Sequence, residues 1–113
     1  MKQKPQSSLI CGYVVSFTIK KIFEENGAAS FDVEISLADE WQSPSPTTIV
    51  RFSDVRELRY GDTQDGIAFG AKLSLSIDDV SANGWEGIRF RAINVEQGCL
   101  LSLYSRALEV RAA

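Results

Sequence analysis

The residues of this chain that could do chemistry are fifteen carboxylates, twelve lysines and arginines, two cysteines and a scatter of hydroxyls, with no histidine at all. The missing histidine removes the usual acid/base near neutral pH and the commonest metal ligand. No Ser-His-Asp or Cys-His nucleophile can be assembled. Cys11 and Cys99 are the only thiols, too few for a four-cysteine zinc site and too far apart in sequence to make a disulfide framework. They read as reduced, partly buried side chains. Asp62-Thr63-Gln64-Asp65-Gly66 begins like a calcium loop, but it departs from the pattern at Gln64 and Gly66, and Leu73 stands where a bidentate glutamate is needed. Gly66 to Lys72 mimics a phosphate loop one residue short. Two carboxylates for glycoside hydrolysis need only meet in space, yet so short a chain leaves little room for a sugar cleft. The expectation is a non-enzymatic protein with no metal and no cofactor.

Charge is distributed unevenly. Residues 22 to 50 hold Glu24, Glu25, Asp32, Glu34, Asp39 and Glu40 without one lysine or arginine. Asp32 and Glu34 have strand spacing, so they form an acidic stripe on one face, offset in part by Lys20 across the hairpin. That stripe reads either as a charged edge resisting strand-to-strand aggregation or as a patch steering a basic partner. Trp41 follows Asp39 and Glu40 in a proline-containing connection. A large rigid ring in an acidic rim suits a protein partner, so Asp32, Glu34, Asp39, Glu40 and Trp41 are the candidate binding residues. Trp85, beside Glu86, would equally be a binding hot spot if exposed, but it directly precedes a strand and is expected to support the core. At Arg89-Phe90-Arg91 both arginines share one face and Phe90 takes the other. Net charge is −3 and the isoelectric point about 4.9, which argues against nucleic acid or an anionic membrane as partner.

The elements that carry these residues alternate with period two. Phe31, Val33, Ile35 and Leu37 interleave with Ser30, Asp32, Glu34 and Ser36, the pattern of a half-buried strand. Tyr13, Val15, Phe17 and Ile19 alternate before it, and Asn26-Gly27 between them predicts a β-hairpin over residues 11 to 38 with positive φ at both turn residues. Further alternation appears at Thr48–Phe52, Leu73–Ile77, Ile88–Ala92 and Leu101–Leu103. Residues 53–60 read as irregular chain plus a short strand, Asp62 to Gly70 as a loop, and Val80-Ser81-Ala82 as one helical turn. Leu108 and Val110 have the opposite parity to Leu101 and Leu103, which requires a bulge near Ser105-Arg106.

No run of ten residues is amphipathic with helical period. The expected architecture is an all-β antiparallel sandwich of seven or eight short strands, with a small closed barrel as the alternative. At 113 residues, one domain over 9–113 follows a polar tail at 1–8, and about 65% of the unfolded surface can be buried. The inward set includes Phe17, Ile19, Phe31, Val33, Ile35, Val50, Phe52, Leu75, Ile77, Ile88, Phe90, Leu101 and Leu103. The apolar patch Leu9–Phe17 is too short and too interrupted for a signal peptide or a membrane span, so a cytoplasmic location is expected.

The segments Phe52-Ser53-Asp54-Val55-Arg56-Glu57-Leu58 and Asp79 to Phe90, with Glu96 and Leu103-Tyr104 beyond, resemble small uncharacterised bacterial all-β domains, some of which are immunity proteins of polymorphic toxin systems. The resemblance spans Phe52 to Tyr104, about half the chain. It implies an inhibitor that binds a toxin, and it transfers no functional residue; the acidic stripe read above would suit a basic toxin domain as that partner. A carbohydrate or small-ligand module and a structural homo-oligomer are the alternatives, and the oligomeric state is left open.

Overall fold

The computed structural model describes residues 7–40, 45–61, 72–95 and 100–113. Six strands run in it: β1 (Ser7–Phe23), β2 (Ala29–Ala38), β3 (Thr48–Gly61), β4 (Lys72–Asp79), β5 (Phe90–Asn94) and β6 (Leu100–Ala112). A single 3-10 turn at Ser81–Asn83 stands where the sequence predicts one helical turn, and the described residues contain no α-helix. Every strand pair is antiparallel, in the order β1-β2-β3-β6-β5-β4, and β4 pairs back onto β1 to close the ring.

The all-β antiparallel class is as expected; of the two arrangements, the closed one is found. Alternation reports which face of a strand is wet, and it is silent on whether the last strand finds the first. Here β1 serves two neighbours, pairing β4 through residues 7–13 and β2 through 13–23. A bulge between Val14 and Ser16 lets it bend from one neighbour to the other. The bulge also shifts parity, so Val14 is buried, not the Tyr13 and Val15 of an unbroken alternation. At this bend β1 crosses close over β2. A Cβ on Gly12 would lie 2.8 Å from the Leu37 Cβ, so only glycine allows the approach.

Among the described residues the strands are fewer and longer than expected because irregularities bend them without ending them. β3 runs through residues 53–60 although Asp54 and Glu57 have φ near +53° and +51°. Phe52 and Val55 are both buried, so parity flips at Asp54, and it flips at the facing Ser105–Leu108 of β6 as well. That double flip replaces the single bulge expected near Ser105-Arg106, and the pairing register is unchanged across it. The register shifts further on, between Arg56 and Arg59.

The interior holds Val33, Ile35, Leu37, Val50, Phe52, Leu73, Leu75, Ile77, Ala92, Leu101 and Leu103, each at most 2% exposed. Phe17 and Phe90 pack against this core from its margin. Phe31 and Ile19 do not belong to it: they are 44% and 39% exposed. Their parity is inward, but β2 pairs β3 only from Val33 to Leu37, so the hairpin beyond projects past the ring. The turn at its tip differs from the expected one. Gly27 alone is left-handed, while the Asn26 side chain accepts the Ala28 N–H at 2.9 Å.

Candidate partner-binding surface

Two outer walls of the ring carry most of the described charge. The first is formed by β1, β2 and the first half of β3. Lys20 stands opposite Asp32, and the next row runs Thr18, Glu34, Arg51, Glu109 across β1, β2, β3 and β6. Arg51 Nη2 donates to Asp32 Oδ2 at 2.9 Å, and the Asp54 N–H reaches Asp32 Oδ1 at 3.3 Å. The hydrogen bond and charge of Asp32, with Glu109 and Glu34 adding, hold the Arg51 pKa above its ordinary value. Asp32 therefore ends the β2–β3 ladder, taking the N–H that a backbone carbonyl would otherwise accept. The acidic stripe read from sequence is interleaved with bases that come from neighbouring strands.

Asp39 and Glu40 are exposed beyond the end of β2, where Asp39 Oδ1 accepts the Thr47 hydroxyl at 3.1 Å. Seven residues at about 3.3 Å each place Asp39 roughly 23 Å along the chain from Asp32, so the acidic candidates do not form one compact site. Trp41 lies outside the described residues, as do Cys99 and the Asp62–Gly66 segment. Cys11 is exposed, contrary to the expectation of partial burial, with its Sγ 3.5 Å from Ser74 Oγ. The described residues contain no group of three or more metal-ligating side chains.

The second wall is formed by β5, β6 and the second half of β3. Its rows read Asp78, Arg91, Tyr104, Arg56 and then Ser76, Ile93, Ser102, Arg59. Tyr104 thus lies between two arginines contributed by different strands. Trp85, in the loop before β5, meets Tyr104 edge to face at 5.7 Å and 82°. It is 49% exposed and does not serve as the buried core support expected of it. Gly87 is left-handed at φ +73°, which favours glycine there, and the Arg56 guanidinium lies beside it. Two hollows flank Arg56 and Tyr104. One, of about 280 Å³, is bordered by Arg59, Arg91, Ile93 and Tyr104; the other, of about 490 Å³, by Asp54, Arg56, Glu86 and Arg106.

A cleft of about 440 Å³ opens between the walls where β2 and β3 part, lined by Ile19, Phe31, Val55 and Leu58 with Arg56 and Glu57 at its border. None of the second wall was singled out in the sequence as a binding surface. Trp85 beside Glu86 and Arg89-Phe90-Arg91 are its visible signs in the sequence, and both arginines are exposed as expected. The row itself needs the β6 pairings to both β5 and β3, which connect residues far apart in the chain.

No curated protein and no solved structure matches the chain. The family model described as Immunity protein PIM8 matches residues 3–110. That span covers nearly the whole sequence, and the chain belongs to the PIM8 immunity protein family.

Proposed function

We propose that this protein neutralises a toxin by binding it directly, as a stoichiometric inhibitor without catalysis of its own. Family membership across residues 3–110 is the observation that carries the reading. The fold is consistent with it, because a closed ring offers rigid walls and binding costs little ordering of the backbone. On the first wall, Glu34, Asp39 and Glu40 are the carboxylates that would steer a basic region of the toxin. Asp32 contributes less, being tied to Arg51 and to the Asp54 N–H. Trp41 is proposed beside Asp39 and Glu40 as an apolar contact.

Coexpression with the cognate toxin, sought first among the neighbouring genes, tests this reading. The wild-type chain should restore growth and should run with the purified toxin domain as one stoichiometric species in size-exclusion chromatography. Continued killing, with the two proteins eluting separately, would overturn it.

A further inference from the structure

We infer that the toxin docks on the outer face of β3, β6 and β5, anchored at Trp85 and Tyr104, and that the segment received there carries carboxylates. This rests on the reading that the chain binds a toxin. Three features of the face support the inference together.

Composition is the first. Trp, Tyr and Arg are the residue types that dominate binding energy at protein interfaces, because they bring large contact area and rigid donors. Trp85 and Tyr104 stand in edge contact at the centre of this face, with Arg56 and Arg91 on either side of Tyr104. Half-exposed tryptophan is otherwise an unfavourable use of the free surface.

Charge is the second. Arg59, Arg91 and Arg106 make no ion pair among the described residues, and Arg56 reaches Asp54 only at 3.9 Å. On the first wall, by contrast, Arg51 is held by Asp32 at 2.9 Å with Glu34 and Glu109 nearby. Guanidinium groups left unpaired around a hollow repel one another and present their planar donor forks to incoming carboxylates. Asp78 opposite Arg91, Asp54 beside Arg56, and Glu57 and Glu86 at the borders limit how acidic the incoming segment can be.

Shape is the third. The two hollows border the same row of side chains, and Arg56 continues into the apolar cleft at Ile19, Phe31 and Leu58. An extended acidic segment of a protein can occupy such a surface along its length. The chain's net charge of −3 opposes a polyanionic nucleic acid over the whole approach, while it leaves a local carboxylate contact available.

Affinity for the purified toxin domain tests the inference. Arg59→Glu combined with Arg91→Glu should weaken binding by about 100-fold, and Trp85→Ala by about 30-fold, as expected of central anchors. Glu24→Lys with Glu25→Lys, at the exposed tip of the β1–β2 hairpin, should stay within about threefold. Thermal melting is checked for every variant, and Arg59→Gln with Arg91→Gln replaces the reversal if that pair unfolds.

Wild-type protection together with unchanged affinity in the arginine and Trp85 variants would overturn this surface and leave the toxin reading intact. Should the wild-type chain give no protection, NMR titration with a hexaglutamate peptide still decides the surface. Shifts at the Trp85 indole N–H and the Arg59 and Arg91 side chains support it. Shifts confined to Lys20 and Arg51, or tighter binding of a single-stranded oligonucleotide at the same face, overturn it.

Discussion

The two halves of β3 are built to different rules. From Thr48 to Phe52 the strand is paired on both sides, Val50 and Phe52 are completely buried, and Arg51 is held by Asp32. From Ser53 to Gly61 β2 no longer pairs with it, two non-glycine residues are left-handed, the register slips, and Arg56, Arg59 and Tyr60 are exposed. The first half closes the ring. The second half turns the chain outward and presents the arginines that border both hollows. One strand thus joins the fully buried core at Val50 and Phe52 to the surface on which recognition is proposed, without a loop between them.

The comparison breaks most readily at Phe52. Phe52→Ala should cost about 3–5 kcal/mol in urea unfolding, because it deletes a ring with no exposed surface at the junction of three strands. A loss under about 1 kcal/mol would mean the first half is not the closed part of the ring. Phe31→Ala should cost only about 1 kcal/mol, since 44% of the residue is already in water beyond the last β2–β3 pair. A cost equal to that of Phe52→Ala would place the projecting hairpin inside the core after all.

These two phenylalanines also show how far the sequence could be read. Both have inward parity, Phe31 in a strand that alternates without error and Phe52 in the regular half of a strand that reverses at Asp54. Period two assigns a face, and it cannot assign depth along the barrel axis, which depends on where a neighbouring strand stops. The same limit applies to the site. Asp32 and Glu34 were legible as an acidic pair, but the base that meets them, Arg51, arrives from a strand nineteen positions after Asp32. Arg56, Tyr104 and Arg91 come from three strands whose adjacency follows from ring order alone. The hairpin, the 3-10 turn and the all-β class rest on local signals, and those are the parts found as read. The parity reversal in β6 was visible; that Asp54 reverses β3 at the same level was not.

A smaller effect sharpens the contrast from the second half. Glutamate gains little from a left-handed backbone, which costs an L-residue about 1–2 kcal/mol. Glycine removes that cost at Glu57 but loses about 0.5–1 kcal/mol through its freer unfolded chain. Glu57→Gly should therefore stabilise the fold by about 0.5 kcal/mol, read as a higher urea midpoint with unchanged slope. The same substitution at Glu109, opposite the regular first half at Arg51, should destabilise it. If both substitutions destabilise alike, the left-handed bend carries no strain.

The smallest expected effect belongs to Asp79, at the end of β4 beside the second wall. Its Oδ1 accepts the Ser81 hydroxyl at 2.5 Å and the Ser81 N–H at 2.9 Å, and Arg89 Nε lies 3.8 Å from Oδ2. The Ser81 hydroxyl and then its N–H lower the Asp79 pKa from 3.8, with the Arg89 charge assisting. A carboxyl with a depressed folded pKa contributes stability that is present above its unfolded pKa and is lost as pH falls through the folded value. The contribution is thus complete near neutral pH and disappears below about pH 4. Asp79→Asn keeps an acceptor for Ser81 and removes the charge, so the variant should be slightly less stable than wild type at pH 7 and indistinguishable from it near pH 2. Urea midpoints for both proteins across that range read the difference directly. A gap that stays constant from pH 7 to pH 2 would show that Asp79 acts by shape alone and that its charge adds nothing to the turn leading into β5.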